Sequence, residues 1–282
     1  MLNIYDFITD SHLFKKFAVN ELMYVEYKCL IEEPEYWSHH NYFVYILGGR
    51  MKWQTAKNDY IAGKGESIYI RKGAYVAEKY HDEDFCGLVF FMPDEFIKSI
   101  VSKSHLSMQN VKWNAEMDSI IPLHIDETLA AYFNSIMSYF PKDTTPPKEL
   151  LALKFEELIL TILTSSANLP LASYLRATTE TSKVSIPSIM EANFMRSLSL
   201  EEYARLCARS LSAFKTDFQS IYKTSPGKWL INKKLEYAKF LVETTDKSVQ
   251  DIVSDSGFKN ISHFVRIFKE TYGQPPMKYR FA

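Results

Sequence analysis

Two hydrophobic periods divide this 282-residue chain. Between Tyr42 and Phe91, short apolar and aromatic runs are broken by turn residues about every ten positions, the pattern of an all-β barrel or a double-sheet jelly roll. Strands are predicted at 42–47, 50–55, 60–62, 67–70, 75–77 and 85–91, punctuated by Gly48-Gly49, Asn58-Asp59, Gly63-Lys64-Gly65 and Lys72-Gly73. Segments 22–30 and 3–7 are expected to add strands. Beyond Pro93 the period lengthens. A short helix is predicted at 93–103. Longer amphipathic helices follow at 126–140, through Leu129, Phe133 and Ile136, and at 147–165, through Leu150, Leu151, Leu153, Phe155, Leu158 and Ile162. These two helices either pack within the chain or pair with a second copy. The polar stretch 178–185 has no period and reads as an interdomain linker.

The last hundred residues carry a helix–turn–helix plan twice. In the second copy Ser248 caps a helix with apolar Val249, Ile252 and Val253, Gly257 makes the turn, and Phe258 plugs it. Asn260 or Ser262 caps the next helix, whose expected buried stripe is Ile261, Phe264, Val265 and Phe268. Gly273 and Pro275-Pro276 end it. In the first copy Ser199 and Glu202 form a capping box, and Leu200, Tyr203, Ala204 and Cys207 face inward. Ser210 caps the second helix, with Leu211, Phe214, Phe218 and Tyr222 inward and Ser212, Lys215, Thr216 and Gln219 outward. Pro226 opens a long helix between the copies, a stiff spacer for two groove-entering helices.

Residues 184–282 resemble the DNA-binding domain of AraC/XylS-type transcription regulators. The resemblance rests on Gly257-Phe258, Ser262-His263-Phe264, Arg266-Ile267-Phe268-Lys269, Gly273-Gln274-Pro275-Pro276 and Tyr279-Arg280, with Ser210, Phe214, Phe218, Ser225-Pro226, Leu235 and Ala238 in the first copy. Lys234 stands where that family usually has Arg, and Val253 where Ala is usual. The resemblance implies a multidomain α+β chain. A cupin-like β-barrel sensor domain at 1–120 is followed by a helical dimerisation or packing region at 121–176 and a linker at 177–185. The DNA-binding domain, at 186–282, is all-α with two helix-turn-helix motifs. It also implies double-stranded promoter DNA as ligand, RNA polymerase as partner, activation as the usual outcome, and a homodimer. Base-reading positions carry over to Ser212, Lys215 and Thr216 and to Ser262, His263 and Arg266. Of these, Arg266 is suited to a bidentate guanine contact or to a phosphate. Lys228, Lys233, Lys259 and Lys269 are phosphate candidates, and Asn260 begins a helix that presents N–H groups.

Charge agrees with this division. Residues 183–282 hold 16 Lys and Arg against 10 Asp and Glu, leaving residues 1–182 acidic. A basic half suits phosphate neutralisation. Cys29, Cys86 and Cys207 are odd in number and form no CxxC, no secretory signal opens the chain, and no apolar run reaches the ~18 residues of a membrane span, so a reduced, cytoplasmic protein is expected.

No spacing points to catalysis or a cofactor. Adjacent His39-His40 lacks a following Glu, and His81 is the distant partner a cupin metal site would need. No metal site is therefore expected, and a surface or loop histidine pair is the plainer reading. Trp37, His40, Tyr45, Trp53 and Tyr69 are candidates to line a small-ligand cavity, with ordinary core as the alternative. Two other readings stay open: a regulator whose first domain binds a partner protein in place of a small effector, and a metal-dependent cupin enzyme with a DNA-binding tail.

Overall fold

The structure, a computed structural model, describes residues 1–28, 35–55, 58–80, 84–104, 118–142, 144–180 and 184–281. Two compact units divide the chain, Met1–Val184 and Ser185–Ala282.

The first unit has eleven strands among the described residues: β1 Leu2–Asn3, β2 Lys15–Val19, β3 Leu22–Lys28, β4 Glu35–Ser38, β5 Asn41–Gly48, β6 Arg50–Gln54, β7 Asp59–Gly63, β8 Ser67–Ile70, β9 Gly73–Lys79, β10 Cys86–Met92 and β11 Ile120–Leu123. Its helices are α1 Ile4–Asp10, α2 Asp94–Lys103, α3 Glu127–Met137, α4 Lys148–Thr164 and α5 Leu169–Glu180. The expected barrel is present as two open sheets, of order β1-β4-β9-β6-β7 and β11-β8-β5-β10-β3-β2. The six-stranded sheet is buried on both faces. Along β5, Tyr42, Val44 and Ile46 join the core shared with the other sheet, while Phe43 joins the core shared with the helices. β10 alternates likewise, with Val89 and Phe91 on one side and Leu88, Phe90 and Met92 on the other. Alternation thus becomes a continuous apolar run, because both pleat directions face a core.

Three local expectations change. Segment 3–7 is a strand only at Asn3, the end of β1: Asn3 Oδ1 accepts from Asp6 N at 3.1 Å, and this cap starts α1. β2, β4 and β11 were not anticipated. Neither was α5, which runs through 177–180 of the expected linker. Its terminal Thr178 satisfies its hydroxyl on Leu175 O at 2.6 Å, as a helix allows. Residues 181–183 and Cys29 lie outside the described residues. For the helical region, read as packing within the chain or pairing with a second copy, the chain's own sheet takes up most of the apolar positions. Leu129, Phe133 and Ile136 of α3 and Leu151, Phe155, Leu158 and Ile162 of α4 bury against the six-stranded sheet.

The second unit has seven helices among the described residues: α6 Ile186–Asn193, α7 Leu200–Leu206, α8 Leu211–Tyr222, α9 Pro226–Thr244, α10 Val249–Asp255, α11 Ile261–Tyr272 and α12 Pro276–Arg280. α9 has 19 residues, about 28 Å at 1.5 Å per residue. Its Leu235, Ala238, Leu241 and Val242 pack with Ile252, Val253, Phe264 and Phe268 into the core of the second repeat. Val253 is buried there. Cys207 is buried, and no single helix among the described residues is long and apolar enough to cross a membrane.

Candidate nucleic-acid interface

Both helix pairs are built by the same local rules. Ser199 and Ser248, 49 residues apart, cap α7 and α10. At α7 the capping box closes: Ser199 Oγ accepts from Glu202 N at 3.2 Å and Glu202 Oε2 accepts from Ser199 N at 2.6 Å. The turns repeat as well. Ala208 N donates to Arg205 O and Arg209 N to Ala204 O, both at 2.9 Å. Their counterparts are Gly257 N to Ser254 O at 3.0 Å and Phe258 N to Val253 O at 2.9 Å. Ala208 and Gly257 take the left-handed conformation, φ +52° and +76°. The second loop is one residue longer, so the caps of α8 and α11, Ser210 and Asn260, are 50 apart.

Each turn is braced differently. Arg209 Nε pairs with Asp217 of α8 at 2.9 Å, and its NH1 donates to Cys207 O at 2.7 Å. In the second repeat Lys234 of α9 donates to Gly257 O at 2.8 Å. It thereby supplies a turn anchor from the position where Arg is usual. Burial first, then the charge of nearby Lys259, lowers its pKa. Gly257 is required twice over. A Cβ there would lie 2.1 Å from Met195 O, in the segment joining α6 to α7.

Inward faces are aromatic. Phe214 and Phe218 of α8 are fully buried, and Phe218 stacks on Tyr222 at 4.6 Å and meets Trp229 edge-on at 6.0 Å. Phe264 and Phe268 are likewise buried in α11, with Phe258 packed 5.1 Å from Phe264. The outward faces are polar. Ser212, Lys215, Thr216 and Gln219 are exposed on α8, and Ser262, His263, Arg266 and Lys269 on α11, with Lys259 and Asn260 exposed just before it. Eight of the ten expected DNA-facing residues therefore gather on two helices of one unit, and the other two, Lys259 and Asn260, directly precede the second. Asn260 is the cap, its Oδ1 accepting from His263 N at 2.8 Å. Arg266 pairs with Glu270 at 2.9 Å, both side chains well exposed. Lys228 is exposed, whereas Lys233 pairs with Glu191 at 3.1 Å and is committed within the fold. Ile261, expected in the buried stripe, is 44% exposed. Phe258, from the turn, packs against the core of this repeat, whereas Ile261 does not.

The five cavity candidates do not converge. Trp53 faces the space between the sheets, where Ile4, Tyr27, Tyr36, Tyr42, Met51 and Tyr75 also point and a void of about 30 Å³ remains. Tyr69 and Tyr45 face the helices instead, Tyr45 stacked on Phe133 at 4.1 Å. Trp37 and His40 lie beside α1. His40 is not a surface residue: it is 9% exposed, its ring 4.4 Å from Tyr5 and 4.2 Å from His39. Asn3 Nδ2 lies 3.3 Å from His39 Nδ1. His81 lies outside the described residues, and among those described no group of three His, Cys, Asp or Glu converges.

Burial, then the neighbouring His39, pushes the His40 pKa from 6.5 to about 4. The unfolded chain thus binds a proton at His40 that the folded chain refuses. Stability is full above about pH 6.5 and is lost as pH falls toward 4. Urea unfolding of the first unit is expected to be about 2 kcal/mol weaker at pH 5 than at pH 7, and His40→Gln should remove that difference. An unchanged pH slope in the variant would show that His40 does not carry it.

Comparison with known proteins agrees with both units. Residues 41–174 match the ExsA N-terminal regulatory domain, and residues 203–281 match a helix-turn-helix domain. The chain is 24% identical over 239 residues to the virulence regulon transcriptional activator VirF of Yersinia enterocolitica, covering 84% of this chain and 88% of that protein. It is 25% identical over 236 residues to the HTH-type transcriptional regulator ExsA of Pseudomonas aeruginosa, covering 83% and 84%. Among solved structures, an apo form of ToxT from Vibrio cholerae aligns with TM-score 0.45 at 14% identity, over 93% of this chain and 98% of that one. Fold and relatives define a DNA-binding transcription regulator, with a regulatory unit ahead of a paired helix-turn-helix unit. The chain belongs to the AraC/XylS family.

Proposed function

We propose that the protein activates transcription by seating α8 and α11 in successive major grooves on one side of promoter DNA. Ser212, Lys215, Thr216 and Gln219 of α8, with Ser262, His263 and Arg266 of α11, read base edges. Lys228, Asn260, Lys259 and Lys269 hold phosphates. The observation that carries this reading is the repeated cap–turn–cap geometry, which buries the aromatic stripe of each second helix and leaves its polar face open. Activation is supported by the names of the relatives, and RNA polymerase is the partner such an activator meets at a promoter. Self-association is supported by α4, where Leu150 and Leu153 remain 37% and 60% exposed while the rest of its apolar residues are largely covered. The protein works beside cytoplasmic DNA and as a regulator, not an enzyme.

Arg266→Ala tests the base-reading role. The exposed Arg266–Glu270 pair is worth only ~0.3–0.5 kcal/mol, so releasing it opposes DNA binding weakly. If Arg266 reads a base, the variant loses ~1–3 kcal/mol on a duplex selected by the wild-type protein and much less on random duplex. Equal losses on both would assign Arg266 to phosphate.

The first unit takes either a small effector or a protein partner. Its void between the sheets is about 30 Å³, and a larger one of about 200 Å³ is lined by Glu26, Leu47, Leu88, Met137, Phe140 and Pro141, against ~300–1,000 Å³ for ordinary ligand sites. Thermal-shift screening with metabolites set beside capture of a single stoichiometric partner separates the two.

A further inference from the structure

We infer that Ile261 is a specificity residue of the second recognition helix and reads the C5-methyl group of a thymine. This rests on the DNA-binding reading above and extends it to one base-edge group.

Ile261 is the first residue of α11, directly after the Asn260 cap and before exposed Ser262 and His263. In a helix-turn-helix the N-terminal residues of the second helix are the ones that meet base edges. Its side chain takes no part in the core of the second repeat, where Phe258, Phe264, Val265 and Phe268 fill the space beneath the helix. Among the described residues it is the one large apolar side chain exposed on α11. Folding within the unit therefore does not explain it.

The surrounding chemistry narrows the ligand. Arg266, His263 and Ser262 supply donors and acceptors for base edges, and Lys259 and Lys269 supply charge for phosphates; Ile261 offers neither. In the major groove the one apolar feature of the four base pairs is the thymine methyl. An Ile set against it removes both from water. At α8 the corresponding first residue, Leu211, is only half-buried, and the outward residues Ser212, Lys215, Thr216 and Gln219 are polar. The strongest methyl dependence is thus expected within the part of the site that α11 covers.

Substitution of thymine by deoxyuridine tests this, because it deletes the methyl and keeps base pairing. The full chain is first used to select a duplex from a randomised library, and each thymine of that duplex is then replaced singly by deoxyuridine. At one or two adjacent positions affinity should fall about fourfold, from ~0.8 kcal/mol for a methyl-sized apolar group at 1.4 kcal/mol per decade. Ile261→Ala should bind thymine and deoxyuridine duplexes equally at those positions. Ile261→Gln should select a different base there. Ala favours a helix more than Ile, so Ile261→Ala should melt no lower than wild type, which separates lost contact from lost fold. No thymine whose methyl matters, or a methyl effect that persists in Ile261→Ala, overturns the inference. Failure to recover any duplex from the library would instead overturn the DNA-binding reading itself.

Discussion

Gly257→Ala is expected to be the most damaging single-methyl change in the second unit. The left-handed φ of +76° costs a side chain ~1–2 kcal/mol. The added carbon also falls 2.1 Å from Met195 O, a backbone atom that no rotamer change can move aside. Overpacking of that kind adds ~1–3 kcal/mol, for a total of ~2–5 kcal/mol. Two other glycines grade the effect. Gly273 has φ +81° with open space around its Cβ position, so Ala there meets strain alone. Gly227 has neither strain nor a neighbour within 4 Å and lies in the first turn of α9, where Ala is neutral or stabilising. Amide hydrogen exchange of α10 and α11 in the full chain should rank exchange rates Gly257→Ala, then Gly273→Ala, then Gly227→Ala and wild type. Equal protection in Gly257→Ala and Gly227→Ala would mean that the turn does not need its close approach to Met195.

Simultaneous replacement of Ser262, His263 and Arg266 by alanine should leave the fold intact and remove most discrimination by α11. All three are exposed, and their caps and core partners are other residues: Asn260 caps the helix, and Phe264 and Phe268 anchor it. One bidentate Arg contact plus two weaker contacts amounts to ~2–5 kcal/mol of specific affinity. Binding to random duplex should fall far less, because Lys228, Lys259 and Lys269 remain to release counterions. Competition titration of wild type and variant against selected and random duplexes at fixed salt measures both quantities. A variant that keeps its preference for the selected duplex would place sequence reading in α8 alone or outside both helices.

The second unit was more legible than the first because its structure is local. Ser199, Ser210 and Ser248 cap as their spacing suggests, since each cap bonds a backbone N–H three residues on. The error at Ile261 is one that spacing cannot see: an i, i+3 reading assigns it to the core, whereas Phe264 and Phe268, with Phe258 from the turn, make the contacts there. In the first unit the strands at 41–48 and 86–92 were visible as apolar runs, but β4, β2 and β11 were not. β4 and β11 pair with distant segments, β9 and β8, which local pattern does not reveal, whereas β2 is the edge partner of its neighbour β3. The five cavity candidates failed to converge for the same reason. Residues chosen for chemical type were assigned to one lumen, whereas the pleat sends Tyr45 and Tyr69 toward the helices and Trp53 toward the opposite sheet.

From its sequence alone this chain determines two capped helix–turn–helix repeats, a basic tail, and an aromatic β-rich first half, because caps, turns and periodicity act within a few residues. Tertiary structure alone decides that the β-half is two open sheets with a doubly buried middle layer, that α3 and α4 bury most of their apolar residues inside the chain while Leu150 and Leu153 stay exposed, that Gly257 meets Met195, and that Ile261 is left in the open. Each of these depends on which distant surface arrives to cover a side chain, and the hydrophobic effect that drives such burial carries no direction along the chain.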